Sequence, residues 1–364
     1  MKENDIKPCF GSEGLFAASN SSHGFKSYYD DIFDRTQLKR IYIIKGGPGT
    51  GKSRFMKEVS SYCEGRGYRA EYYNCSSDPD SLDAVIIDGR VALLDGTAPH
   101  TAEPDIAGAR DEIINLGAFW DGNSLAGRYH EIEELCNKKS AAYSKGYHYL
   151  SGCGELAEIN RALILPAIKE EKMKRYISRI ISDIPQGDGA RIIPALVDSI
   201  GMKGRVKYDT YERCAKKVYT VIDHYGGASL FLAALICEAQ NKNIPMRVSY
   251  NPVNSSFTDA VYFLNCDIAF VIAEPSEVDE SCGIRINMKR FVDKSALDKV
   301  KREFRNNLRL YEALLSSACD AFSEAGEYHF SLEKIYVSCM DFTAKESYTA
   351  SFCEMLGEYL RVNI

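Results

Sequence analysis

A lysine and a hydroxyl side by side at the end of a glycine-rich run can hold a polyphosphate and its metal. Residues Gly46-Gly47-Pro48-Gly49-Thr50-Gly51-Lys52-Ser53 meet that requirement in full, as GxxxxGK[ST]. Glycines permit a tight loop and let backbone N–H groups converge on phosphate oxygens, and a helix that starts there adds the positive end of its dipole. Lys52 then supplies a mobile cation to the β- and γ-phosphates, Ser53 a hydroxyl to Mg²⁺, and Arg54 stands beside them as a further contact. The pattern predicts ATP and Mg²⁺ as ligands. As a plain glycine turn before a helix, the same residues would carry no chemistry.

Such a loop needs a carboxylate linked to Mg²⁺ at the end of a neighbouring strand. Val91-Ala92-Leu93-Leu94-Asp95 has that form, so Asp95 joins Ser53 as an expected metal residue. Asp88, after Ala84-Val85-Ile86-Ile87, competes for the role and also reads as a turn residue before Gly89. Two polar segments are candidates for positioning water or an acceptor, Cys75–Ser81 through Asp78 and Thr97–His100 through His100. Asp78 and His100 are therefore expected to be catalytic alongside Lys52 and Asp95, although Asp-Pro-Asp is ordinary turn chemistry and a single exposed histidine is usually inert. Asp111 and Glu112 are weaker alternatives, and Trp120 reads as a packing residue.

The elements that must position these groups come twice. At an offset of 177, Arg40-Ile41-Tyr42-Ile43-Ile44 meets Lys217-Val218-Tyr219-Thr220-Val221, Gly24 meets Gly201 and Tyr73-Asn74 meets Tyr250-Asn251. After a one-residue deletion Asp83-Ala84-Val85 meets Asp259-Ala260-Val261, and at an offset of 172 Asn115, Phe119, Asp121 and Leu125 meet Asn287, Phe291, Asp293 and Leu297. A period this long signals a duplicated domain. Candidate strands in the first copy are Leu15–Ala18, Ile41–Lys45, Arg69–Tyr73, Val85–Ile87 and Val91–Leu94, with a helix over Lys52–Glu64. Short apolar strands alternating with helices predict an α/β fold: two tandem P-loop-like domains, each a parallel sheet flanked by helices with a long helical C-terminal segment. Turn signals over Ser182–Gly189 place the boundary between residues 1–185 and 186–364. In the second copy Ser229 falls opposite Lys52, Leu230 opposite Ser53 and Val271 opposite Asp95, so this copy is expected to lack nucleotide chemistry. Asp83 reads as structural, because Asp259 persists in that copy.

The GGPGTGKS loop resembles that of AAA-type and related ATPases, although the acidic pair expected after their second nucleotide strand is absent, Asp95 being followed by Gly96. Together with Cys75–Asp83, Asp95–His100 and Asp111–Gly117, it resembles a poorly characterised bacterial family of tandem P-loop ATPase-like proteins over most of the chain. The resemblance implies ATP binding and a duplicated P-loop NTPase fold. The second copy often keeps a P-loop in that family, whereas Asp223-His224-Tyr225-Gly226-Gly227-Ala228-Ser229 does not.

Composition bounds the remaining options. With 364 residues, 45% apolar and 26% charged, the chain is neither disordered nor fibrous and is long enough for two domains. Its formal charge is −6 and its basic residues interleave with acids, as in Lys169–Arg175, so nucleic acid is not an expected partner. Met1–Asp5 leads into no apolar segment and the longest apolar run, Leu230–Cys237, is too short to cross a bilayer, which predicts a cytoplasmic protein with no membrane partner. Twelve scattered cysteines form no CxxC and read as reduced, buried residues. Three functions fit: a Mg²⁺-dependent ATPase, which leads; a small-molecule or nucleoside kinase; and a nucleotide-responsive module that recruits a protein partner with little hydrolysis. Arg247, Arg285 or Arg290 is the candidate to complete the site from the second copy.

Overall fold

The computed structural model describes residues 14–278 and 283–363, so the Met1–Asp5 start lies outside the described residues. The first half of the chain forms β1 (Leu15–Phe16), β2 (Ala18–Ser21), β3 (Gly24–Ser27), α1 (Tyr29–Ile32), β4 (Arg40–Lys45), α2 (Lys52–Glu64), β5 (Ala70–Asn74), β6 (Leu82–Ile87), β7 (Val91–Asp95), β8 (Asp111–Asn115), α3 (Gly122–Gly127), α4 (Tyr129–Ile164) and α5 (Glu170–Ser182). The second half forms β9 (Ile192–Pro194), β10 (Asp198–Gly201), β11 (Gly204–Lys207), α6 (Thr210–Cys214), β12 (Lys217–Ile222), α7 (Ala228–Asn241), β13 (Met246–Tyr250), β14 (Thr258–Phe263), β15 (Ile268–Ala273), β16 (Ile284–Asn287), α8 (Lys294–Ser338) and α9 (Phe342–Asn363).

Each half builds a six-stranded sheet, in the orders β1-β5-β6-β7-β4-β8 and β9-β13-β14-β15-β12-β16. Matched along the chain, the two orders are the same. Both sheets are mixed rather than parallel throughout, because β6 and β14 run antiparallel to both of their neighbours. The cause is local: β6 and β7 are joined only by Asp88-Gly89-Arg90, and a connection that short can only reverse the chain. Asp88 and Gly89 supply the positive φ values, 48° and 69°, that this turn requires.

Alternation along each strand explains the layers. Ile41 and Ile43 of β4 enter a core shared by both sheets, with Ala92 and Leu94 of β7 and Ala260, Tyr262 and Val271 of the second half. Tyr42 and Ile44 point the other way, onto Phe55, Met56 and Val59 of α2. The order of layers is helix, sheet, sheet, helix.

The outer helices are exchanged between halves. Met173, Ile177 and Ile181 of α5 pack with Phe231, Leu232 and Leu235 of α7 on the second sheet. Phe352, Leu356 and Leu360 of α9 pack with Phe55 and Met56 of α2 on the first. Between these crossings α4 and α8, 36 and 45 residues long, run antiparallel, with Tyr143 against Phe322 and Asn160 against Asn307.

Contacts between the halves recur in reciprocal pairs. Phe16 N–H donates to Leu196 O at 2.8 Å and Leu196 N–H returns to Phe16 O at 3.0 Å. Ser22 N–H reaches Val253 O as Met202 N–H reaches Ser77 O, both at 2.8 Å. Trp120 bridges to Met340 as Val292 bridges to Ile168. The halves are thus related by an approximate two-fold axis, a self-complementary interface within one chain. Repeated residues hold this frame: Asp121 caps α3 and Asp293 caps α8, each accepting two backbone N–H groups. Gly24 matches Gly204 rather than Gly201, since both open the second strand of a hairpin with φ near 92° and 79°. Among the described residues no helix is long and apolar enough to cross a membrane, and the described cysteines are free.

Candidate functional site

β4 delivers the chain to residues 46–51 and α2 carries it away. Gly46, Gly49 and Gly51 take φ values of 153°, 71° and 77°, which side chains disfavour. A Cβ on Gly46 would stand 2.8 Å from Thr50 Oγ1, and one on Gly49 2.8 Å from the Glu333 carbonyl oxygen of α8. The loop is therefore a cradle that side chains cannot enter. Lys52 folds back on it, its Nζ donating to Gly46 O at 2.8 Å and Gly47 O at 3.1 Å while standing 3.6 Å from Asp95 Oδ2. Ser53 Oγ accepts from Leu82 N–H at 3.0 Å. Pro48 and Thr50 complete the loop, with Thr50 Oγ1 donating to Gly47 O at 2.9 Å.

Asp95 ends β7, which is hydrogen-bonded directly to β4 with Ile44 opposite Asp95. The β6–β7 ladder ends on Ala84 opposite Leu94, and Asp83, skipped at a register shift between β5 and β6, lies close enough to Asp95 for their charges to interact. Two buried carboxylates on one face repel. Cations offset them one each: Lys52 on Asp95, and His100, whose Nε2 stands 2.9 Å from Asp83 Oδ2. Burial, with Asp83 alongside, raises the Asp95 carboxyl above its ordinary value, although Lys52 and Thr97 pull it down. Burial lowers the His100 imidazole, but the Asp83 carboxylate outweighs it and the net shift is upward. Asp83 thus belongs to the site, contrary to its assignment as a structural residue. Asp259 keeps the backbone position but faces Asp198 and Arg205, and burial first, then Asp198, pushes it up to about 7.

These groups open on a cavity of about 840 Å³. Residues 46–53, Asp78, Asp83, Asp95 and His100 line it from the first half, and Met202, His329 and Glu333 from the second. The β10–β11 hairpin also fixes the 75–81 loop: Lys203 Nζ lies 3.0 Å from Asp78 Oδ1, and Ser81 Oγ donates to Asp78 Oδ2 at 2.7 Å. Burial raises the Asp78 carboxyl, but Ser81 and Lys203 more than reverse this and hold it low. Burial, helped by Lys139, pushes His329 down to about 4.

Some expected residues lie elsewhere. Arg54 faces away from the cavity, 2.7 Å from Glu58 and 3.4 Å from Glu346, because the third position of a helix turns its side chain off the loop. Asp88 is the turn residue, accepting from Arg69 N–H at 2.9 Å. Asp111 holds Arg35 and Arg110, and Glu112 pairs with Arg40. Trp120 lines the cavity while packing against Tyr336, with ring centroids 5.3 Å apart. Arg247 is buried on Glu71 at 3.0 and 2.8 Å, Arg290 lies over the Tyr176 ring, and Arg285 sits on the edge strand β16. None of the three arginines lines the cavity; the second half contributes through α8 and a hairpin tip, which the sequence marks with no local signal.

The corresponding place in the second half is filled by its own side chains. Its loop has five residues, 223–227, against six in 46–51, so the fixed offset fails there. Ser229 takes the place of Ser53, accepting from Thr258 N–H at 3.2 Å, and Ala228 takes the place of Lys52. Ile272, opposite Val221, takes the place of Asp95. Asp223 then accepts from the N–H groups of Tyr225, Gly227 and Ala228 at 3.0, 3.1 and 3.1 Å, placing a carboxylate among the amides that start α7. Arg205, where the first half has Phe25, pairs with Asp198 at 2.7 Å. The chain matches no protein-family model, no curated protein and no solved structure.

Proposed function

We propose that the protein is a Mg²⁺-dependent ATPase that binds ATP at the 46–53 loop, with a second half that completes this site and carries no nucleotide chemistry of its own. The observation that carries this is the cradle of three positive-φ glycines at a strand-to-helix junction with Lys52 3.6 Å from Asp95. In this assignment the loop amides receive phosphate oxygens, and Lys52 exchanges the carbonyls of Gly46 and Gly47 for the β- and γ-phosphates. Ser53 and Asp95 would hold the metal, a small ligand set that suits Mg²⁺, which keeps several waters. When bound there, Mg²⁺ neutralises charge on the β- and γ-phosphates. The chain's own part is positioning: α8 packs against the loop at Gly49, where Glu333 and Val337 hold its backbone in place. Titration calorimetry with Mg²⁺–ATP and phosphate-release kinetics on the parent and Lys52→Ala test the assignment. The variant is expected to lose on the order of 10²–10³ in turnover and most of its ATP affinity. Equal binding and turnover in the two proteins would remove nucleotide chemistry from this loop.

A further inference from the structure

The cavity is larger than a triphosphate tail requires, and its walls beyond Lys52 change character. Phe25, Tyr143 and Tyr147 present rings to it, and Met202 closes it from the second half. Two of these rings are tethered, Tyr143 Oη to Ser77 Oγ at 3.1 Å and Tyr147 Oη to Asn20 Oδ1 at 2.6 Å, so their planes are fixed before any ligand arrives. Water, the acceptor in hydrolysis, has no use for such walls.

The carboxylates divide by neighbour. Asp95 sits against Lys52, whereas Asp83, beside the end of the neighbouring strand, faces His100. His100 is itself held, stacked on Tyr29 at 4.7 Å and edge-on to Phe25 at 4.8 Å. A second carboxylate one strand from the expected metal residue has no task in binding nucleotide. Charge narrows the class of acceptor. Among the described residues lining the cavity there is no arginine, and besides Lys52 the lysine present is Lys139. A phosphorylated acceptor would bring further negative charge against Asp78, Asp83 and Glu333.

We propose that this part of the cavity binds an uncharged, planar-ringed alcohol of the nucleoside class, and that Asp83 takes its proton as the terminal phosphoryl of ATP is transferred to it. The inference rests on ATP occupying the 46–53 loop. The acceptor oxygen forms a bond to the γ-phosphorus, the bond from that phosphorus to the β,γ-bridging oxygen breaks with its electron pair left on ADP, and the hydroxyl proton passes to Asp83. The ring lies against the aromatic walls, which stack on its face. His100 is a positioning residue that holds the Asp83 carboxylate.

The test is transfer from ATP labelled at the γ-phosphorus, on the full chain with Mg²⁺, to adenosine, guanosine, cytidine, uridine and thymidine, with the four ribonucleoside monophosphates as counter-probes. Label in a nucleoside monophosphate supports the proposal, and Asp83→Asn should then lose on the order of 10²-fold or more in transfer. Label confined to inorganic phosphate with all five nucleosides, or passing to monophosphates alone, overturns it while leaving ATP binding in place. Absence of ATP binding to the parent overturns the nucleotide assignment and this proposal together. The parent assay decides even where Asp83→Asn does not fold.

Discussion

His100 and Asp83 form a buried pair whose balance depends on proton concentration. Burial alone would keep the imidazole neutral, and the adjacent carboxylate reverses that, so its value in the folded chain lies above that of an unfolded histidine. A group raised on folding stabilises fully below its unfolded value, about 6.5, and loses that contribution as pH climbs through the folded value. The parent should therefore lose stability relative to His100→Gln as pH rises from about 6.5 through the higher folded value, measured as the difference in urea midpoints. A difference that is flat over that window would mean that His100 is not charged at its lower end. Much at this scale was legible in the sequence because it is local: the glycines of 46–51, Lys52 and Ser53 are contiguous, and Asp95 ends an apolar strand. A position in one copy does not report the neighbours of its counterpart in the other. Asp83 and Asp259 share a backbone site but face different partners, and carrying one offset through a shortened loop paired Ser229 with Lys52.

A helix reports its apolar face in sequence but not the surface that covers it. The long helical segments after Leu125 and Ser295 were evident from spacing, as was α2 over Lys52–Glu64. Nothing in α9 indicates that it belongs to the sheet of the other half, or that α8 lies against Gly49. The missed strand β8 carries Asp111–Asn115, where one aspartate is consumed by arginines rather than by chemistry. The exchange has a measurable consequence. Phe352 is buried against Tyr42 and Phe55, with ring centroids 4.8 and 5.1 Å apart, so it props the helix that starts at Lys52. Phe352→Ala should cost about 3–5 kcal/mol in chemical denaturation. It should also weaken Mg²⁺–ATP binding, although residue 352 stands 300 positions from Lys52 in the chain. Phe231→Ala, the comparable loss beneath the second sheet, should destabilise to a similar extent and leave nucleotide affinity near that of the parent in the protein that remains folded.

The whole molecule behaves as two copies of one fold that bury their faces on each other. The shared core draws Leu94 and Val271 from opposite halves, Glu71 and Arg247 pair across the interface, and each half's hairpin tip bonds the other's loop. Neither half keeps a closed core alone, because residues 14–185 lack α9 over Phe55 and residues 186–363 lack α5 over Phe231. The two halves have diverged at these loops: the cavity at Lys52 takes part of its wall from Met202, His329 and Glu333, while in the second loop backbone amides bond Asp223. Fragments 1–185 and 186–364 expressed apart should each self-associate or aggregate, since each exposes apolar surface fitted to the exchanged helix. Mixed after refolding, they should give a one-to-one complex by size-exclusion light scattering, and phosphate release from Mg²⁺–ATP should return only in that complex. A folded, monomeric fragment 1–185 that turned over ATP at the parent rate would contradict the shared cavity, because the cradle and Lys52 would then suffice without the helix that closes over them.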